Sequence, residues 1–462
     1  MIKVNYKTQL KPSHPIESAQ PITADQFLEL EERQRTRFNG KDGGLARIKT
    51  GCLEIDDYVL CGSKEELNGG FERGIVVGLS ATDGDESIGS RLISLNLIAS
   101  VLLQHVDSAN AIRDPQDESR NVMKPKVVVI DATGSFSLPL LAKGLRSRLL
   151  QVRHKTRSKD NTSGNLENDL NLDRITELEI QTDMNAMLEL VAISRVFDIE
   201  GLWEVLGEIG RTDGRSNEGD NQETSNNHPS REGKFVEKQA ELLHKIPDEI
   251  GDSEEEDINM STPSPVKLVA SKTSEVETSP EILIIDNMHY LISHLFTHSE
   301  KSSAHSLLSL LSRTLHTLTH TQNILTILHN STISTKTNYT KPGTRQSPPP
   351  PPALQSIFTS TAQKPSLGRI FDEFLDLHIM ISRVPKSRVD AEVLYGQDDS
   401  FQNNEISYCL VFEVLRDECP VLGRDRDLGR RFGDREQRWG LFEIGAEGTK
   451  LVDAFRGGVL GA

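Results

Sequence analysis

The chain has 462 residues, of which 52 are lysine or arginine and 69 are aspartate or glutamate, so its net charge is −17. An acidic chain repels nucleic acids and anionic membranes on average, which excludes a protein that binds DNA over its whole surface. Any contact with DNA therefore requires a local basic patch or a partner. Apolar residues make up 36% of the chain and aromatic residues 5%, which predicts an aliphatic core interrupted by polar segments.

Neither export nor membrane insertion is expected from the sequence. The N-terminal residues lack the apolar core of a signal peptide, and no stretch stays apolar over the roughly 20 residues that span a bilayer. Cys52, Cys61, Cys409 and Cys419 lie in two distant pairs without a CxxC motif, which favours buried, reduced thiols over a metal site. These features predict a protein of the nucleus or the cytosol.

The N-terminal half alternates between strand and helix patterns. Residues 1–44 are a polar extension with one predicted helix; a buried strand, VVGLS, then leads into an apolar helix, RLISLNLIASVLLQHV. KVVVIDATGSF has four consecutive Val or Ile residues, as in a parallel strand covered on both faces, and an amphipathic helix follows. ITELEIQ is predicted as the next strand, with a helix after it. Residues 211–278 are acidic and rich in Ser, Asn and Gly, which predicts a disordered insertion.

The C-terminal half continues the alternation and then changes to antiparallel strands. EILIIDNMHYLI predicts a buried strand, SSAHSLLSLLSRTLHTLTHT a long helix, and NILTILHNST a further strand. Residues 332–364 form a predicted flexible, Pro-rich loop. LGRIFDEFLDLHIMISRVP predicts a helix-to-strand unit, and two antiparallel strands and a tail at 456–462 follow.

This order of elements predicts one α/β domain over residues 45–455. Its sheet is expected to be doubly wound and mainly parallel, with antiparallel strands at the C-terminal end and with insertions that are loops rather than further domains.

The stretch GIVVGLSATDGDESIGSRL has the outline of a phosphate-binding loop between a strand and a helix. In such a loop, GxxxxGK[ST], backbone amides surround the phosphates, the lysine neutralises them and the hydroxyl holds Mg²⁺. Here Gly78, Gly84 and Gly89 are the candidate glycines, and Ser90 and Arg91 stand where Lys and Ser/Thr are expected. No lysine occurs between residues 64 and 124. The alternative is a purely structural strand, loop and helix.

Two hydrophobic strands end in aspartate, in VVVIDATGSF and ILIIDNMHY. A strand of this kind resembles a Walker B motif, in which the carboxylate of Asp286 would reach Mg²⁺ directly or through water. Either signal is weak alone, because many parallel strands end in aspartate as a helix cap.

Taken in order, these motifs resemble the RecA-type recombinase family, in particular the eukaryotic recombinases of homologous repair and their paralogues. The similar segments are IKTGCLEIDDYVLCGSKEELNGGFERGIVVGLSA, KVVVIDATGSF, ILIIDN, ILTILHNST and KPSLGRIFDEFLDLHIMISR. The resemblance covers most of residues 47–145 and 281–455. It implies a RecA-like P-loop core with an ATP and Mg²⁺ site at Gly78, Gly84, Gly89, Ser90, Arg91 and Asp286, where Asp286 is the metal ligand.

The departures from the family concern hydrolysis. The P-loop lysine has no match, Thr133 stands at the position of the catalytic glutamate, and Ser331 stands at the position of the sensor glutamine after Asn330. A threonine cannot act as a general base for water at neutral pH. Loss of phosphate neutralisation and of the water-activating carboxylate predicts a pseudo-ATPase that hydrolyses ATP very slowly or not at all.

The resemblance also implies a DNA-binding loop before PSLGR. The candidate contacts are Lys336, Lys341, Arg345 and Lys364, and the alternative is a Pro-rich spacer. The segment 423–439 carries six arginines among interleaved acids, which favours a solvated hairpin loop over a DNA or partner contact. No ligand spacing is evident for His105, His154, His289, His305, His316 and His320, which are expected to be structural or exposed.

Three functions remain open from the sequence. The first is a nuclear recombinase paralogue that binds a recombinase or another paralogue, and single-stranded DNA, without hydrolysing ATP. The second is a DNA-dependent ATPase that uses Arg91 and Asp286 with an unorthodox loop. The third is a RecA-fold scaffold outside DNA repair.

Overall fold

The computed structural model describes residues 47–61, 69–82, 84–112, 124–160, 169–210, 279–334, 354, 356–358, 363–396, 406–420 and 431–455. The chain divides into two compact units, Met1–Thr212 with Ser279–Ala462, and Asp213–Thr278. The second unit lies outside the described residues, as do the predicted extension at 1–44 and the tail at 456–462.

The strands of the first unit follow the predicted order along the chain. They are β1 (Val76–Ala81), β2 (Val127–Asp131), β3 (Val191–Arg195), β4 (Ile282–Asp286), β5 (Leu325–Ser334), β6 (Gln363–Pro365), β7 (Leu377–Pro385), β8 (Tyr408–Asp417), β9 (Trp439–Ile444) and β10 (Leu451–Asp453).

Helices occupy the connections. A short π-helix spans Glu54–Val59, and the α-helices are α1 (Asp85–Ile112), α2 (Leu138–Asp160), α3 (Asp169–Leu188), α4 (Ile199–Gly210), α5 (Met288–His298), α6 (Lys301–Gln322), α7 (Arg369–Asp372) and α8 (Arg388–Tyr395).

One sheet contains all of these strands in the order β10-β9-β8-β7-β1-β5-β4-β2-β3, with β6 paired to β5 at its side. The pairs from β7 through β3 are parallel, whereas β7–β8, β8–β9 and β9–β10 are antiparallel. The prediction of a doubly wound, mainly parallel sheet with antiparallel C-terminal strands is therefore confirmed.

Aliphatic side chains cover both faces of the sheet. One cluster includes Leu92 and Ile98 of α1, Leu145 of α2 and Ile180 of α3, and the other includes residues of α4, α5 and α6. β1, β2 and β4 are buried along their whole length, which explains their continuous Val and Ile runs.

Helix α1 lies against this core. By length and composition its segment Glu86–His105 could cross a membrane, contrary to the sequence expectation, but most of the segment is buried inside the molecule. Core helices of other proteins can have the same length and composition, so the segment is weak evidence for a membrane span.

The prediction of a strand at ITELEIQ was wrong. These residues belong to α3, and the strand is Val191–Arg195 further along. Ile180, Met184 and Met187 recur at helical spacing and pack on the core, whereas the apparent alternation of ITELEIQ covers only seven residues. β3 is the outermost parallel strand and is only partly buried, so its apolar signal is diluted.

The arginine-rich segment contains a buried residue that the sequence did not predict. Arg435 is fully buried and donates from Nε and Nη2 to the carboxylate of Asp417 at 2.9 and 2.8 Å. Its Nη2 also lies 3.6 Å from Glu72. Residues 421–430 of the same segment lie outside the described residues. Arg435 is therefore part of the folded core and not of a solvated hairpin.

Glu281, directly before β4, contacts Arg73, which precedes β1, and His105 of α1. Its carboxylate lies 2.6 Å from Arg73 and 2.5 Å from Nε2 of His105. Burial alone would raise the pKa of Glu281, but the hydrogen bond from His105 and the charge of Arg73 outweigh it and lower the pKa from 4.5 to about 2. Because the folded-state pKa lies below the unfolded one, the stabilisation is present above pH 4.5 and is lost as the pH falls towards 2.

We therefore expect Glu281→Gln to lower the free energy of unfolding at pH 7 by about 2 kcal/mol. Urea denaturation of wild type and variant at several pH values should show this difference shrink between pH 5 and pH 2. Glu177→Gln is the matched control, since Glu177 is half-exposed and pairs with Arg146 at 2.7 Å. An equal, pH-independent loss in both variants would contradict the prediction.

Candidate functional site at the carboxyl edge of the sheet

The carboxyl ends of β1, β2, β4 and β5 bring the predicted site residues to one edge of the sheet. Asp131 and Asp286 are register partners on adjacent strands, and Ala81 is the register partner of Ser331. Ligands of open parallel sheets bind at this edge. The structure therefore brings Asp286 and Ser331, which are distant in the sequence, to the same edge of the sheet.

The connection from β1 to α1 is shorter than the sequence indicated. β1 ends at Ala81 and α1 begins at Asp85, so residues 82–84 alone join the strand to the helix. Gly84 lies in this connection with φ of +109°, a conformation that favours glycine. A three-residue connection provides fewer backbone amides than a GxxxxGK loop does.

The sequence predicts Gly78 at the end of the strand and Gly89 before the helix, but the structure places both inside these elements. Gly78 lies inside β1, where a Cβ atom would come within 2.4 Å of Leu375. Gly89 lies inside α1, where a Cβ atom would come within 2.7 Å of Leu410. Both glycines therefore allow close packing, and Gly84 is the one predicted glycine that remains at the edge of the sheet.

The first turn of α1 carries a buried acidic side chain. Glu86 is 4% exposed and its carboxylate lies 3.3 Å from Nε of Arg383 on β7. The positive end of a helix dipole normally attracts anions, but a carboxylate in the first turn opposes a phosphate there. Ser90, the predicted hydroxyl ligand, donates to the backbone carbonyl of Ser87 at 3.0 Å.

Arg91 makes an ion pair with Asp286 across the site. Nε of Arg91 lies 3.2 Å from Oδ2 of Asp286, and the hydroxyl of Ser135 donates to the same oxygen at 2.8 Å. Asp286 is only 3% exposed, and its Oδ1 has no hydrogen-bond partner within the described part of the chain. A guanidinium of the protein thus neutralises the carboxylate that was predicted to hold Mg²⁺.

The loop after β2 is held by Asp131. Its carboxylate accepts hydrogen bonds from the backbone N–H groups of Thr133, Gly134, Ser135 and Phe136, at 2.7 to 3.2 Å. Thr133 is exposed and donates from its hydroxyl to Ser135 at 2.7 Å. Thr133, at the position expected for a catalytic glutamate, is therefore linked to Asp286 through the hydroxyl of Ser135. Its hydroxyl cannot act as a general base.

A cavity of about 160 Å³ opens beside Asp286. Its lining includes Arg91, Ser94, Ser135, Leu140, Asp286 and His329. His329 bonds through Nε2 to the hydroxyl of Ser94 at 2.8 Å, and burial lowers its pKa, with Arg91 acting in the same direction and Asp286 opposing. The cavity is smaller than the roughly 300–1,000 Å³ that is typical of ligand pockets.

Three further polar residues, Ser80, His378 and Asp372, form a hydrogen-bonded group near the site that no sequence motif indicated. The hydroxyl of Ser80 bonds to Nε2 of His378 at 2.9 Å, and Nδ1 of His378 bonds to Asp372 at 2.9 Å. The arrangement resembles a hydrolytic triad, but Ser80 and His378 are both fully buried, so a substrate could not reach the hydroxyl. The group instead connects β1 to β7, and Asn330 of β5 donates to Ser80 at 3.1 Å.

The predicted DNA-binding loop begins and ends at this same edge. β5 continues to Ser334 and pairs with β6, so the predicted loop boundaries at 332 and 364 lie within a two-stranded antiparallel ribbon. Thr82, which follows β1, bonds to the hydroxyl of Thr332 at 2.8 Å and to Gln363. Lys364 is half-buried on β6, and Lys336, Lys341 and Arg345 lie outside the described residues.

Comparison with known proteins does not assign the chain to a family. No protein-family model matches the chain, and no curated protein matches it. Among the solved structures that match is the RadB recombinase, with a TM-score of 0.39 and 12% identity over 88% of this chain and 99% of that chain. A likeness at this level carries no argument about activity.

The fold is described by its strand order. In the parallel part of the sheet the strand order is β3-β2-β4-β5-β1-β7. β5 therefore lies between β1, which leads into the connection with Gly84, and β4, which ends at Asp286. This is a RecA-like α/β core with antiparallel C-terminal strands.

Proposed function

We propose that this protein is a non-hydrolysing RecA-fold accessory factor of homologous recombination. In this proposal it acts in the nucleus through a recombinase or a recombinase paralogue, and through single-stranded DNA. One observation supports the loss of hydrolysis above the others, namely the ion pair between Arg91 and Asp286.

The ion pair between Arg91 and Asp286 affects whether Asp286 can bind Mg²⁺. Mg²⁺ in a nucleotide site is held by one or two carboxylates together with phosphates and waters. Asp286 is the one predicted metal ligand, and Arg91 already supplies the positive charge beside it. Arg91 was also the one candidate to replace the missing lysine, so the same guanidinium would have to leave Asp286 to bind a phosphate. These contacts of the described residues support the proposal that the site does not assemble a hydrolysis-competent complex of ATP and Mg²⁺.

The nearby carboxylates are also engaged. Asp131 accepts from four backbone N–H groups, and Glu86 pairs with Arg383. Either one would have to give up these contacts to replace the glutamate missing at Thr133. Activation of water by a described side chain of this edge is thus unsupported.

The proposed DNA contact depends on the loop between β5 and β6. Its two ends lie beside the candidate site, and its predicted contacts are Lys336, Lys341, Arg345 and Lys364. Since the whole chain carries a charge of −17, this basic loop is the local patch that phosphate binding would require.

One observation favours the alternative, a DNA-dependent ATPase. Oδ1 of Asp286 is buried without a hydrogen-bond partner among the described residues, and a metal ion would satisfy it. Arg91 is about one-third exposed on its side chain, so it has room to swing away. In this alternative, DNA or a nucleotide would displace Arg91 from Asp286.

Steady-state ATP hydrolysis by the purified chain, with and without single-stranded DNA, separates the two proposals. The accessory role predicts no turnover above that of Asp286→Asn, a substitution that removes the charge and keeps the shape. Clear turnover in wild type that is lost in Asp286→Asn would establish the ATPase. Fluorescence anisotropy with labelled single-stranded DNA tests the loop in the same preparation.

The repair role has a separate test. Affinity purification from DNA-damaged cells is expected to recover a recombinase or a paralogue with this protein. Recovery of no recombination protein would count against the repair role and favour a RecA-fold scaffold elsewhere.

A further inference from the structure

A second set of chemical groups lies at the opposite edge of the sheet. Asp376 immediately precedes β7; its backbone N–H donates to the carbonyl of Val76, and its Oδ2 accepts from the N–H of Val76 at 2.8 Å. Val76 is the first residue of β1, so Asp376 marks the amino end of the parallel strands. His316 and His320 reach this point from the C-terminal part of α6.

The three side chains converge. His316 and His320 are four residues apart, on one face of α6, and their rings are nearly parallel, with centroids 5.9 Å apart. One ligand atom from each of His316, His320 and Asp376 lies within 4.8 Å of the others. Nδ1 of His316 is 3.7 Å from Oδ2 of Asp376.

These distances are close to those of a metal centre. Tetrahedral Zn²⁺ with bonds of about 2.1 Å places its ligand atoms roughly 3.4 Å apart. Rotamer adjustments of about 1 Å would therefore bring all three atoms into coordination. All three residues are half-buried, so an ion from solvent can reach them.

We propose that His316, His320 and Asp376 form a binding site for a divalent transition-metal ion of the Zn²⁺ class. Two imidazoles and one carboxylate leave the fourth position of a tetrahedral ion open. A cavity of about 460 Å³ adjoins the site and is lined by His316 and Asp376 together with Arg369, Asp372, Arg416 and Glu418. Water or an anionic group would occupy the open position from this cavity.

The chemistry of the ligands favours such an ion over Mg²⁺ or Ca²⁺. Those cations prefer sites built from oxygen, whereas neutral imidazole suits zinc. His316 and His320 offer one ring nitrogen each and Asp376 offers one carboxylate oxygen, so two of the three ligand atoms are of the kind that zinc prefers.

The alternative is a purely structural role for the three residues. Asp376 would then only accept the hydrogen bond from the N–H of Val76, and the histidines would neutralise part of its charge. This alternative predicts no saturable metal binding, so metal titration distinguishes it from the proposal.

The experiment is titration of the full-length, chelator-treated protein with Zn²⁺ by calorimetry and with Co²⁺ by visible absorption. We expect one saturable site, with the visible absorption bands of Co²⁺ bound to nitrogen and oxygen ligands, and no response to Mg²⁺. In His316→Ala/His320→Ala this site should be lost. His294→Ala/His298→Ala is the matched control, since these residues of α5 have the same spacing and contacting rings at 4.3 Å but belong to no three-ligand group among the described residues. It should retain full binding.

A second variant distinguishes loss of a metal ligand from misfolding. Asp376→Asn keeps an oxygen that can accept from Val76 but removes the charged ligand, and we expect it to weaken Zn²⁺ binding at least 10-fold with little change in the melting temperature of the metal-free protein. Zn²⁺ binding that is unchanged in both Asp376→Asn and His316→Gln/His320→Gln would overturn the proposal, as would a wild-type protein that binds no Zn²⁺. The site does not depend on the proposed function.

Discussion

Replacement of Arg435 with alanine is expected to lower the free energy of unfolding by about 3–5 kcal/mol, the usual cost of removing one partner from a buried ion pair. Arg435 is fully buried and Asp417, its partner, is 1% exposed. In Arg435→Ala the carboxylate of Asp417 stays in the core without its cation. The cavity left by the side chain adds to this loss.

Chemical denaturation measures the effect. Arg388→Ala is the control, since the Arg388 side chain is 91% exposed and its pair with Glu392 is expected to contribute less than about 1 kcal/mol. The double variant Arg435→Met/Asp417→Asn separates charge from volume, because it fills most of the space and removes the stranded carboxylate. It should recover part of the stability, and a loss of less than 1 kcal/mol in Arg435→Ala would show that water reaches Asp417.

Removal of Arg91 is expected to make the protein respond to Mg²⁺. In Arg91→Ala, Asp286 retains the hydroxyl of Ser135 but loses its cation, which should lower the free energy of unfolding by about 2 kcal/mol. Millimolar Mg²⁺ should restore part of this loss in the variant and leave wild type unchanged, because a ligand that binds the folded state raises its stability. Thermal unfolding with and without Mg²⁺ provides the measurement.

The double variant Arg91→Ala/Asp286→Asn is the control for this experiment. Without the carboxylate, the effect of Mg²⁺ should disappear. An equal response to Mg²⁺ in wild type would mean that Arg91 does not compete with a metal at Asp286, and the proposed loss of hydrolysis would lose its main support.

The sequence predicted the centre of the fold better than its periphery. VVVID and ILIID form central strands that are covered on both faces, and only continuous Val and Ile runs satisfy that environment. β3 lies at the end of the parallel strands and is half-exposed, so its pattern was outweighed by the apparent alternation of ITELEIQ. Local pattern is a strong signal only where both faces of a strand are buried.

The same patterns place the candidate residues at the ends of strands, but they do not predict the contacts between those residues. The phosphate-loop pattern places Gly78 at the end of the strand and Gly89 before the helix, whereas both glycines serve close packing against Leu375 and Leu410, which are distant in the sequence. The pairing of Arg91 with Asp286 spans 195 residues and depends on the direction of two side chains. No spacing rule within one motif can predict such a pair.

The proposed metal site also combines residues that no spacing within one motif brings together. His316 and His320 had helical spacing in the sequence, but the third group, Asp376, lies 56 positions beyond His320 and reaches them only through the fold. Buried Arg435 was hidden in a segment whose composition is typical of a solvated loop.

The contact of Thr82 with the ribbon of β5 and β6 has a consequence for regulation. The base of the proposed DNA loop is joined to the end of β1 by protein hydroxyl and amide groups, including the 2.8 Å bond between Thr82 and Thr332. Under the proposed function, no phosphate is needed to hold this base in place, so the coupling free energy between ATP and a ligand of the loop should be close to zero. The affinity of the loop would then follow the concentration of its partners and not the nucleotide supply of the cell.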